Sequence, residues 1–72
     1  MNMSSKMDHL EVLRVEVEVL KREHRDLDEA ITAMQEQGHY DALRMQRLKK
    51  RKLALKDRIT VLEDELNPDI IA

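Results

Sequence analysis

The sequence predicts an all-α fold, a two-helix antiparallel coiled-coil hairpin that assembles into a helical bundle. Three observations predict it. Apolar residues recur every three or four positions through both halves of the chain, the signature of a helix with one buried stripe. Charged residues make up 39% of the 72 residues, with one aromatic, one Gly, one Pro and no Cys, a composition typical of coiled coils and long helices. The lone glycine, Gly38, falls between the two apolar series. The chain reads as one helical-hairpin domain over 1–72, with a first helix at about 6–37, a turn at 38–41, a second helix at about 42–66 and a tail at 67–72.

The first helix carries Leu10, Leu13, Val17, Leu20, Leu27, Ile31 and Met34 at a and d heptad positions, with His24 the polar entry. Ser5 is the expected N-cap, with Asp8 in the capping-box position three residues on. The stretch Val15-Glu16-Val17-Glu18-Val19 alternates like a half-buried strand, yet its heptad phase matches the leucines on both sides, which favours helix. Gly38 suits the left-handed position just past a helix C-terminus. The second helix repeats the pattern with Met45, Leu48, Leu55, Ile59, Leu62 and Leu66, with Lys52 the polar entry. Asp41 is its expected N-cap, and Tyr40 is placed to pack on Met45 as a hydrophobic staple. Pro68 disfavours the helical region for the residue before it, so this helix ends near Leu66 or Asn67.

Heptad phase runs unbroken through the turn, so periodicity alone does not separate a hairpin from one continuous rod. Three further features favour the hairpin. The seam fails at Gly38 and Asp41, where glycine costs a helix interior about 1 kcal/mol and an unpaired seam Asp costs more. Flanking charges are the second. As a parallel dimer the chain gains Glu16–Lys21 and Arg58–Glu63 attractions but sets Glu23 against Asp28, Arg44 against Lys49 and Arg51 against Lys56. Folded back at 38–41, residues whose numbers add to about 79 face each other, since both helices rise equally per residue. Arg14–Glu63, Glu23–Arg58 and Asp28–Lys49 then attract, while Lys21–Lys56 and Glu16–Glu65 repel, each exposed pair being worth about 0.2–1 kcal/mol. Third, the hairpin sets acidic Asp26, Asp28 and Glu29 beside the basic run Lys49–Lys52.

A lone two-helix seam buries little, and chains of this size need an added source of stability such as oligomerisation. Val12, Val15, Val19 and Val61 lie at c and f positions, off the seam, and map to the open end of the hairpin, where Met3, Met7, Ile70 and Ile71 are placed to join them. Contiguous exposed apolar patches mark interfaces. Self-association is therefore expected there, giving a dimer or tetramer of hairpins.

Much chemistry is excluded by composition. Without cysteine there are no disulfides, thiolate metal sites or thiol nucleophiles. A single aromatic residue offers no stacking platform, and a net charge of −2 creates no global field towards nucleic acid or membrane. No stretch approaches the ~20 apolar residues that span a bilayer. The polar start Met1–Asp8 lacks the apolar core of a secretory signal, so the expected location is cytoplasmic.

The densest charged feature is the block 44–58, with eight basic residues and the single acid Asp57. Arg47, Lys49, Lys50, Arg51 and Lys56 are its candidate phosphate contacts, because basic clusters bind nucleic acid through counterion release. The competing and favoured reading is that the block neutralises the first helix, which carries five basic and nine acidic residues over 1–37. Lys52 reads as a side chain whose stem lies in the seam and whose ammonium reaches Asp28 or Glu29. His24 and Asp28 share a helix face at a spacing metal sites use, but two ligands alone make a poor site. With no nucleophile–base pairing and no glycine-rich phosphate loop, neither an enzyme nor a cofactor is expected, and no metal site.

The segments Glu23-His24-Arg25-Asp26-Leu27-Asp28-Glu29-Ala30-Ile31 and Leu48-Lys49-Lys50-Arg51-Lys52-Leu53-Ala54-Leu55-Lys56-Asp57-Arg58-Ile59 together resemble the YdcH-like family of small bacterial proteins of unknown function. The resemblance extends over about residues 9–66, and the ending Asn67-Pro68-Asp69-Ile70-Ile71-Ala72 resembles tails of alphaproteobacterial members. It implies a short cytoplasmic hairpin of bacterial origin and supplies no activity, cofactor or catalytic residue. The functional expectation is a self-associating structural or protein-interaction module, with the tail Pro68–Ala72 as a docking peptide for a protein partner. The alternative is a nucleic-acid-binding accessory protein using the basic face of the second helix.

Overall fold

A computed structural model describes the backbone of residues 2–68 and the side chains of residues 8–68. Two helices account for nearly all of it: α1 at Asn2–Gln37 and α2 at Ala42–Leu66. They pack against each other as an antiparallel hairpin.

The start of α1 corrects the expected boundary near residue 6 and the expected cap at Ser5. The helix runs through Ser5 to Asn2, because serine inside a helix costs only about half a kcal/mol relative to alanine. The other three ends follow the local chemistry. Gly38 takes φ +70°, and its N–H donates to the carbonyl of Gln35 at 3.1 Å. No atom lies within 4 Å of the place a Cβ would take, so glycine is needed there for backbone conformation and not for space. Asp41 has an extended backbone, and its carboxylate accepts from the N–H groups of Leu43 at 2.9 Å and Arg44 at 3.3 Å. Two of the otherwise unpaired donors at the start of α2 are thereby satisfied. At the far end the Asn67 N–H donates to the carbonyl of Glu63 at 2.8 Å, closing α2 just before Pro68.

The buried residues are Leu13, Val17, Ile31, Met45, Leu55, Ile59 and Leu62, all at a or d positions. Leu62 is the most enclosed at 1% exposure. It forms a cluster with Leu13 and Val17, against which Leu10, Leu20 and Leu66 pack. This cluster sits at the open end, and the polar a residues His24 and Lys52 are half-buried in the middle of the seam. The molecule measures 55 × 30 × 16 Å with a radius of gyration of 16.6 Å, against about 11 Å for a compact chain of this length.

Candidate functional site

Four ion pairs bridge the helices and define two flanks of the hairpin. On one flank Glu16 meets Arg58 at 3.4 Å and Glu23 meets Arg51 at 3.2 Å. On the other Lys21 meets Glu63 at 3.0 Å and Lys52 meets Asp28. All four remain substantially solvated, so each is weakened by water and salt.

The partners differ from those expected by direct facing. Arg14 bonds Glu11 in its own helix at 3.4 Å and not Glu63, Glu23 takes Arg51 and not Arg58, and Asp28 takes Lys52 and not Lys49. The two expected repulsions are relieved, since Lys21 reaches Glu63 in place of Lys56 and Glu16 reaches Arg58 in place of Glu65. Long flexible side chains reach about five residues along the axis, about 7.5 Å, and so choose opposite charges over the like charges directly facing them. The placement of the Lys52 ammonium on Asp28 agrees with the sequence reading.

Proton affinities follow this geometry. The Lys21 ammonium donates to Glu63 and is further favoured by that carboxylate's charge, which raises Lys21 above the ordinary lysine value. The hydrogen bond from Lys52, and then its charge, lower Asp28 below the ordinary carboxylate value.

The flanks differ in the row of residues next to the ion pairs. Residues three or four apart share a helix face, so Val12 and Val19 lie beside Glu16, and Val61 lies beside Arg58. Val12 is 63% exposed, Val15 61%, Val19 48% and Val61 50%, as the off-seam heptad positions predict. The same flank carries exposed Ala30 and Ala33 on α1, and Ala54 between Arg51 and Arg58 on α2. The opposite flank is polar, and three open grooves lie along it, lined chiefly by Arg14, Lys21, Asp28, Lys49, Lys56 and Glu63. Its exposed apolar residue is Leu53, at 66%.

Leu43, Leu53 and the alanines were not legible as surface features, because periodicity does not rank apolar residues once they leave the seam. The alanine row does have a signal, the recurrence of small residues at c and g positions. Met3, Met7, Ile70 and Ile71, expected to extend the valine patch, lie outside the residues whose side chains are described, as do residues 69–72 of the docking tail.

The basic block does not form a single face. Arg51, Lys52 and Arg58 engage acids of α1. Among the other candidate phosphate contacts, Lys49 and Lys56 sit on the polar flank, Arg47 on the valine flank, and Lys50 on the outer side of α2. Among the described residues no group of three or more His, Asp or Glu side chains is placed to hold a metal ion. No described helix is long and apolar enough to cross a membrane.

These features define a small α-helical hairpin with exposed valines among the charges of one flank and chiefly polar residues on the other. Residues 18–63 match the family described as a protein of unknown function (DUF465), the YdcH-like family, and the chain belongs to it. No curated protein and no solved structure matches the chain.

Proposed function

We propose that this protein is a self-associating structural and protein-interaction module, in which a second copy covers the flank bearing Val12, Val19 and Val61, with Val15 at its outer edge. The observation that carries this reading is the concentration of exposed valines beside the Leu13–Val17–Leu62 cluster, at the end of the hairpin where its own core is best packed. Surface area supports it. The chain exposes 6209 Å², about 1,500 Å² above the ~4,700 Å² of a compact monomer of its mass. A surplus of that size per chain is in the range that obligate homodimer interfaces cover. The valines are already partly covered in the hairpin, so burying the rest of each contributes about 1–2 kcal/mol. The Glu16–Arg58 pair between them is already neutralised within the hairpin.

Two hairpins joined this way form a four-helix bundle. The polar flank stays outward for a protein partner, with the tail Pro68–Ala72 proposed as its docking peptide. The module is proposed to act in the cytoplasm, without a cofactor and without catalysis. Sedimentation equilibrium at tens of micromolar tests the reading: twice the 8.5 kDa chain mass is expected, and a clean monomer overturns it.

Nucleic-acid binding through Arg47, Lys49, Lys50, Arg51 and Lys56 is the weaker reading. Three of the eight basic residues of the block already pair with α1, and the rest are spread around α2. Charge reversal at Lys49, Lys50 and Arg51 discriminates. Loss of RNA or DNA binding with an intact fold and mass favours the nucleic-acid reading, whereas altered assembly favours the module.

A further inference from the structure

The two helices are unequal. Residues whose numbers add to about 79 face each other, which sets Leu13 level with Leu66, the last residue of α2, so residues 2–12 of α1 run on past the end of α2. That overhang is about 16 Å of helix; apart from Leu10, which packs on the Leu13–Val17–Leu62 cluster, it has no neighbour among the described residues. A segment of three turns is marginal as an isolated helix in water, and Val12, at its base, is 63% exposed. The overhang calls for a lateral partner of its own.

Resting on the self-association reading, we propose that the two hairpins pack with their turns at opposite ends of the bundle, so that each overhang lies along α1 of the other copy. Two faces joined across a twofold axis can set their turns at the same end or at opposite ends, and all neighbouring helices are antiparallel either way. With turns together, both overhangs project from one end and neither gains an adjacent helix. With turns apart and the axis crossing near Val19, Val19 and Val61 come near their own copies at the axis, Val12 comes level with Asp26 of the other copy, and each overhang is covered. Residues 5–8 of one copy then come level with residues 33–30 of the other. On the valine flank of α1 this stretch presents Ala30 and Ala33, whose small side chains permit close approach of the incoming helix. The polar flank has no such stretch, since its corresponding rows carry Arg25, Asp28, Thr32 and Gln35.

The absence of cysteine makes the test direct. A single spin label is attached at His39→Cys, in the exposed turn, and the distance between labels in the full-length protein is measured by pulsed electron resonance, alongside the mass of the same sample. Opposite turns lie about 20 residues either side of the axis, which places the labels about 60 Å apart. Turns at one end of a four-helix bundle, with helices about 10 Å apart, hold the labels within about 20 Å. A dimer mass with the long distance supports the proposal. A dimer mass with the short distance overturns this arrangement alone, and a monomer mass overturns the self-association reading together with it.

Discussion

The two flanks share one seam and carry two interhelical ion pairs each, yet they present different surfaces. Glu16–Arg58 and Glu23–Arg51 are bordered by Val12, Val19, Val61 and Ala54 together with Asp26 and Arg47, whereas Lys21–Glu63 and Lys52–Asp28 are bordered mainly by charged and amide side chains. The ion pairs therefore do not distinguish the flanks. The seam decides that the chain folds back; the next row of residues outward decides which side exposes valines.

The largest effect should come from the seam, which both flanks need. Leu62→Ala removes the most enclosed side chain and should cost about 2–5 kcal/mol, abolishing a cooperative thermal melt followed by circular dichroism. A melt within a few degrees of the parent would mean that the flanks do not depend on a common core.

Substitution on one flank and then the other tests the asymmetry itself. Val19→Glu combined with Val61→Glu should weaken dimerisation at least about 100-fold, by removing two buried valines and adding charge. Leu53→Glu, on the polar flank, should leave the mass unchanged although Leu53 is the more exposed residue. Equal responses in sedimentation would erase the distinction drawn between the flanks.

A smaller, symmetrical effect is expected at the turn. Gly38→Ala places a side chain at φ +70°, a conformation that costs L-residues about 1–2 kcal/mol, and should lower the melting temperature by several degrees without changing subunit mass. If helicity rises and the dimer elongates in solution, the turn has been replaced by a straight helix.

The smallest effect belongs to the polar flank's charges. Asp28 is lowered in the folded chain, so its contribution is present above the ordinary carboxylate value and is lost as pH falls from there through the folded value. Lys21 is raised, so its contribution is present below the ordinary lysine value and fades as pH rises through the folded value. Asp28→Asn should flatten the acid side of a plot of melting temperature against pH. An unchanged acid slope would show that the Lys52–Asp28 pair adds nothing to the hairpin.

Most of the fold could be read from residue order because its determinants are local. The a and d positions named every buried residue, Gly38 and Asp41 marked the turn, and Pro68 marked the end of α2. Ser5 misled because capping chemistry is permissive: a good cap is also an acceptable interior residue when the helix has reason to continue. Ion-pair partners were misplaced by three residues at Asp28 and by a heptad at Glu23, since register places backbones and not the ends of lysine and arginine side chains. The valines of the candidate site were legible from their off-seam positions. Their grouping with Ala30, Ala33 and Ala54 on one flank was not, because which side each residue shares emerges only when Glu16–Arg58 and Glu23–Arg51 are seen together.

The brevity of the Gly38–Asp41 connection has a kinetic consequence. Contacts next to a short loop close at the least entropic cost, so pairing should zip outward from Met34 and Met45, and Leu13 should find Leu66 last. The reverse order governs opening: although Leu13, Val17 and Leu62 pack together there, the valine end lies farthest from the turn and should open before Met34 and Met45, and under the proposed self-association its backbone amides should gain most protection as protein concentration rises.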